Sequence, residues 1–227
     1  MTSKGLRPLQ LACRPEAMTS RDVTIVIPTF NNQQQLIPCL ISLARETDFL
    51  GRILVVNNGQ DTYEAVQAHV PAELDWYDAG ENLGWPGAIN KALENVRTPL
   101  LCMCNDDVLF TLNRSFWSNL TSWFIFENVF ATGPVSNYVS GYQNMHLQGM
   151  PDSFQCSLLI GFCALYRTSF LRDTGGLDAS LPGGDDYDLS IRVRQAGGRM
   201  IVDRRCFLFH YGSQTGRRVH EGYWDSQ

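Results

Sequence analysis

Three groups of side chains in this sequence could do chemistry, and all of them are carboxylates or imidazoles at the ends of apolar segments. Asn105-Asp106-Asp107 closes the run Leu100-Leu-Cys-Met-Cys104, which reads as a strand buried on both faces of a parallel sheet. Carboxylates at the carboxyl end of such a strand lie on the edge where open α/β sheets bind ligands. Two adjacent carboxylates cannot be buried cheaply without a cation, and a hard divalent ion holding a phosphate would supply one through oxygen coordination. The same residues would also serve as a surface turn or a helix cap. Asp185-Asp186, with Asp188 just beyond, follow Gly183-Gly184 and mark a helix N-terminus. His210 stands at the end of the short apolar segment Cys206–Phe209.

Regular elements must position these groups, and the chain supplies them in alternation. Val23-Thr-Ile-Val-Ile-Pro28 is a β-branched first strand, and Thr29-Phe-Asn-Asn32 turns it into a helix with Asn31 or Asn32 as N-cap. Leu36, Ile37, Leu40, Ile41, Leu43 and Ala44 recur at helical spacing. A strand at Ile53–Val56, a helix around Tyr63–His69, a short strand near Leu74–Tyr77 and a turn feeding a helix over Asn82–Leu93 precede the Leu100 strand. Strand–helix alternation with short links implies a right-handed, parallel α/β sheet. Beyond it the spacing predicts a helix over Leu112–Phe126, a strand over Val129–Val135 and a long loop over residues 136–155. A strand over Ser157–Tyr166, a helix over Ser169–Thr174, a helix from Asp185 and two short strands at Met200–Val202 and Cys206–Phe209 complete the prediction.

Composition narrows the class. The 227 residues carry 44% hydrophobic content, enough for one sizeable domain. A net charge of −5 without a run of Lys or Arg argues against nucleic acid as partner and against a polybasic membrane anchor. There is no apolar stretch long enough to span a bilayer and no leader-like segment, so the expectation is a soluble cytoplasmic protein. The cysteines are odd in number and lie mostly in apolar runs, which predicts reduced core residues. G-x-G-x-x-G, the Walker spacing, a nucleophile elbow and clustered zinc-type histidines are all missing.

Taken together, Val23–Asn31, Leu54–Asp61, Asn82–Leu93, Leu101–Val108, Gly161–Asp178, Gly184–Gly197 and His210–Ser213 resemble the family 2 inverting glycosyltransferases of the GT-A fold. The resemblance runs over about residues 22–215, in the family's order and spacing. It implies an α/β GT-A (nucleotide-diphospho-sugar transferase) fold with a mostly parallel central sheet flanked by helices. The implied layout is a flexible tail over 1–21, one domain over 22–215 and a mobile tail over 216–227. Within the domain, the nucleotide-binding half covers about 22–110 and the acceptor half about 111–215.

The resemblance also assigns roles. Asp107 would bind a divalent metal, Mn2+ or Mg2+, bridging the donor's diphosphate, and His210 would be a late metal or diphosphate ligand. Asn105 replaces the family's first Asp and would contact the ribose, beside Asp106 in the same nucleotide-sugar turn. Pro28, Thr29, Asn31 and Asn57 match the nucleotide end, with Asn57 reading a uracil or thymine. Asn82, Gly84 and Asn90 match the loop and helix beside the nucleotide, and Lys91 is the nearest cation for a phosphate. Gly161 falls where backbone approaches the sugar or acceptor, a strand bulge being the other reading.

Asp186 takes the place of the general base, with Asp185 supporting the acceptor or orienting the loop. Asp188, Arg192 and Arg194 are expected as salt-bridged scaffold, and Arg217 and Arg218 as a solvated tail. The activity implied is metal-assisted, inverting transfer of a sugar from a UDP- or dTDP-sugar to a hydroxyl of a glycan, lipid-linked or small-molecule acceptor. Peripheral membrane contact stays open. A glycoside hydrolase, a sugar nucleotidyltransferase and a non-catalytic nucleotide-sugar-binding protein of the same fold are the rival classes.

Overall fold

The computed structural model describes residues 16–212. Cys13, Arg217, Arg218 and the ends of the two expected tails lie outside them. The tail expected over 1–21 is already folded at its near end. Met18 is buried in the core, and Ser20 donates its hydroxyl to Asp48 O at 2.5 Å within a short 3-10 turn, Ser20–Asp22.

The strands are β1 (Val23–Thr29), β2 (Arg52–Asn57), β3 (Asp75–Asp78), β4 (Leu100–Cys104), β5 (Val108–Phe110), β6 (Val129–Ser136), β7 (Ser153–Cys156), β8 (Cys163–Arg167) and β9 (Arg199–His210). The helices are α1 (Gln33–Ala44), α2 (Tyr63–Gln67), α3 (Gly84–Leu93), α4 (Phe116–Ser122), α5 (Thr168–Asp173) and α6 (Asp185–Gln195). One sheet holds all the strands in the order β3-β2-β1-β4-β8-β6-β9-β5, with β7 also paired to β9. The first half is parallel through β3, β2, β1 and β4, while β8 runs antiparallel to both β4 and β6.

The sheet is buried on both faces, and the period-two alternation sorts its side chains. Val23, Ile25 and Ile27 join Leu100, Cys102 and Cys104 in a core beneath α1 and α4. Val26, Leu101 and Met103 face the other way, into a core formed with α3, α5 and α6. The six described cysteines are all buried and unpaired, as the apolar runs predict. Among the described residues no helix is long and apolar enough to cross a membrane.

Four expectations need correction, each for a visible hydrogen-bonding reason. The helix expected over Leu112–Phe126 starts only at Phe116. Leu112 takes a positive φ of 55°, and the carboxylate of the distant Asp48 caps the Trp117 and Ser118 N–H groups. The long loop over 136–155 contains a 3-10 turn at Gly141–Gln143 and, at its end, strand β7. The strand expected from Ser157 begins at Cys163, because side chains take the preceding N–H groups. Leu159 donates to Ser190 Oγ, Ile160 to Gln143 Oε1 and Gly161 to Asp186 Oδ1. The two short late strands are one strand, β9, whose register against β6 slips between Asp203 and Phe207.

Candidate active site

The Asn105-Asp106-Asp107 turn leaves β4 at its carboxyl end, level with the end of β1. Asp106 is 5% exposed and accepts a hydrogen bond from Thr29 Oγ1 at 2.8 Å. Burial pushes its carboxyl up to about 6, while hydrogen bonds from Thr29 and Asn32 pull the other way. It therefore holds the turn against β1 as an internal strut.

Asp107 points elsewhere. β5 follows it immediately and pairs with the end of β9, placing Val108 opposite His210, and Tyr211 N donates to Asp107 O at 3.0 Å. His210 Nδ1 lies 2.8 Å from the carbonyl of Tyr138 and donates its hydrogen to it, which leaves Nε2 as the ring atom aimed at the turn. Nε2 stands 3.1 Å from the buried Asp107 Oδ1. An imidazole nitrogen beside a carboxylate oxygen is a donor pair that a borderline divalent ion can use. Among the described residues no third His, Cys, Asp or Glu joins the pair. Asn105 adds its amide 3.3 Å from the same imidazole nitrogen.

The second acidic pair opens α6. Gly184 at the N-cap takes a left-handed φ of 81°, and Asp185, Asp186 and Asp188 fill the first turn, where the helix dipole favours negative charge. Asp186 accepts the Gly161 N–H at 2.8 Å. Burial pushes its carboxyl up to about 7, the Asp185 charge adds to that rise, and the Gly161 N–H opposes it. Asp185 is raised as well, chiefly by burial. Asp188 is committed to Arg192 at 2.6 Å, and Arg192 also donates to Gly176 O, so both are scaffold as expected. The two acidic sites meet through consecutive residues. Gly161 binds Asp186, while Phe162 stacks on the His210 ring with centroids 5.3 Å apart and accepts the Asn105 N–H.

The remaining predicted residues divide. Pro28 and Thr29 end β1 beside this edge, and Asn31, with a positive φ of 49°, accepts Gln60 N. Asn82 caps Gly84 N across a turn in which Gly84 has φ 68°. Asn57 does not present a free amide. Its nitrogen donates to Asp61 O and Asp78 Oδ1 and its oxygen accepts Gly59 N, so it ties two strand ends together. The next residue, Asn58, was missed by the sequence reading. Its nitrogen donates to Gly84 O, leaving Oδ1 buried and unpartnered. The signal for it was present, since Asn58 is the first residue past a fully paired strand.

Asn90 is also structural, clamping the backbone N–H and C=O of Leu177. Lys91 lies two turns down α3, paired with Glu94 at 2.7 Å and over the Tyr77 ring, in a groove with Thr24 and Arg52 from the opposite edge of the sheet. It does not join the carboxylates. Gly161 is required for close packing, because a Cβ there would meet Trp85 at 2.8 Å and Asp186 at 2.9 Å.

A family model described as Glycosyl transferase family 2 matches residues 24–175. Pre-mycofactocin glycosyltransferases from two Mycobacterium tuberculosis strains, CDC 1551 / Oshkosh and ATCC 25618 / H37Rv, are each 27% identical over 86% of this chain. The chain spans only 44% of the length of these relatives. Among solved structures, a mannosyltransferase from Pyrobaculum calidifontis in complex with GDP-Man and Mn2+ superposes with a TM-score of 0.71 at 17% identity, covering 94% of this chain and 63% of that one. GalNAc-T7 with UDP, GalNAc and Mn2+ gives 0.68 at 12% identity, covering 87% and 44%. At these identities the likeness establishes the α/β fold, a mixed and mostly parallel sheet flanked by helices.

Proposed function

The chain belongs to glycosyl transferase family 2, and from that premise we propose that it transfers a sugar from a nucleoside-diphosphate sugar to an acceptor hydroxyl with inversion. The observation that carries this reading is the link through Gly161-Phe162, which brings the Asp107–His210 pair and the Asp186 carboxyl to one edge of the sheet. Inversion in one displacement calls for a proton acceptor and for a group that offsets the charge on the leaving diphosphate. The hydroxyl attacks the anomeric carbon from the face opposite the leaving diphosphate, and it must lose its proton as it does so. In this reading Asp186 takes that proton, and its raised proton affinity suits the task near neutral pH. Asp107 and His210 Nε2 would hold a divalent ion, which when bound would offset the charge growing on the leaving diphosphate.

Asn58 Oδ1 is a buried acceptor without a partner, and we take it to face the ring N–H of a uracil, thymine or guanine. We take a uridine or thymidine diphosphate donor as the first choice. The mannosyltransferase relative was solved with a guanosine donor and GalNAc-T7 with UDP, and the same acceptor oxygen would serve either. The test is a thermal-shift screen of nucleoside diphosphates with and without manganese. Stabilisation by a uridine, thymidine or guanosine diphosphate that requires the metal is the expected result. Equal response to adenosine and cytidine diphosphates would sink the base assignment, and no metal-dependent response at all would sink the donor site.

A further inference from the structure

Asp186 is held by more than its helix. Trp85, the second residue of α3, packs its ring on the core behind α3 and brings the Cη2–Cζ2 edge against Gly161. Trp85 Cη2 and Asp186 Oδ1 both lie within 3 Å of the single point a Gly161 Cβ would occupy, at 2.8 and 2.9 Å. Only a residue without a side chain lets an indole edge and a carboxylate converge on the same backbone N–H. The indole N–H lies on this same side of the ring and is buried without a hydrogen-bond partner, so the contact with Gly161 is made by ring carbons alone.

We propose that Trp85 is a positioning residue for the general base: its ring is the wall that keeps water from the Asp186 carboxyl while the Gly161 N–H fixes its direction. The inference rests on Asp186 being the base. Of the charged groups around that carboxyl, Asp185 on its own helix repels it and adds to the rise, second to burial, while Asp188 is bound to Arg192 at 2.6 Å, which leaves that guanidinium engaged. From β8, the Tyr166 phenol is buried and pushed well above its ordinary range, so it stays neutral. The carboxyl's rise to about 7 comes first from burial, and Trp85 is the large side chain that closes the site over Gly161.

The experiment follows the aspartate carboxyl carbons by NMR in the full chain, selectively 13C-labelled, as a function of pH and without substrate. In the wild type one resonance should titrate near neutrality, and Asp186→Asn should delete it. Trp85→Ala should lower its midpoint by about one unit or more, because water then reaches the carboxylate. Trp85→Phe keeps an aromatic ring but withdraws the Cη2–Cζ2 edge from Gly161, so its midpoint should fall by less than that of Trp85→Ala. Trp85→Leu, smaller but still apolar, should fall between the two and serves if the alanine variant does not fold. An unchanged midpoint in both smaller variants overturns the role of Trp85, as does a wild-type carboxyl that titrates in the ordinary range. The base reading fails separately, if Asp186→Asn transfers sugar at the wild-type rate. Where both hold, the acid limb of the transfer rate moves to lower pH in Trp85→Ala together with the NMR midpoint, whereas a purely structural loss would lower the rate without moving the limb.

Discussion

Asp106-Asp107 sits between strands and Asp185-Asp186 opens a helix, yet all four carboxyls are withdrawn from water to some degree. Their partners differ. Asp106 is hydrogen-bonded by Thr29 and Asn32, and Asp107 faces the Nε2 atom of His210. Asp186 has one backbone N–H and an indole wall. A carboxylate beside an imidazole nitrogen gains from a cation, whether a second proton on the ring or a metal ion. A carboxylate with one donor and an apolar wall gains most from a proton. Burial alone therefore does not assign a role to an acidic pair; the character of the facing atoms does.

The sharpest way to break this comparison is to neutralise each pair and read both binding and rate. Asp186→Asn should lower transfer by about 10²–10⁴, or about 3–5 kcal/mol in the barrier, while donor affinity moves far less. If affinity falls as much as rate, the two pairs do the same job. Asp107→Ala should remove most of the stabilisation that manganese with uridine diphosphate gives, which is about 2.7 kcal/mol at a hundredfold excess over Kd. Thermal shifts would check this, and a full metal-dependent shift in the variant would return the turn to being an ordinary loop.

Linkage offers a smaller test on the apo protein. The Asp186 carboxyl binds its proton more tightly folded than unfolded, so its contribution to stability is complete below about pH 4 and is lost as pH rises through about 7. Asp186→Asn should thus raise Tm relative to wild type, by a margin that grows from about pH 5 to about pH 8. A margin independent of pH would deny the proton-accepting character. At the smallest end, Asn58→Ala should weaken uridine diphosphate binding by about tenfold, the worth of one hydrogen bond. Lys91→Ala should leave it unchanged, as measured by calorimetric titration.

The parallel half of the fold was legible because its strands are short apolar runs separated by recognisable turns, and each lies within a few tens of residues of its partner. The later half was less so. α4 is started by Asp48, and the backbone before β8 is peeled away by Gln143, Asp186 and Ser190, three side chains distant in sequence. No local pattern encodes such capture of backbone N–H groups. In the candidate site, the positions of Asp107, Asp186 and His210 could be read from element ends, but the direction of an amide could not. Asn57, Asn90 and Lys91 stand on the expected elements and turn to internal partners instead.

β9 gives the molecule a schedule as well as a shape. Its last residue places the imidazole beside Asp107, and it does so across a separation of 105 residues from Asn105. Contacts this distant in sequence carry a large loop-closure cost and form late when a chain folds. The parallel strands can pair as soon as they leave the ribosome, whereas the Asp107–His210 pair exists only after β9 has docked on β6 and received β5 at its end. A partly synthesised chain would thus hold a sheet edge and a turn of carboxylates without the means to retain an ion. Competence for the donor would come only once β9 has docked.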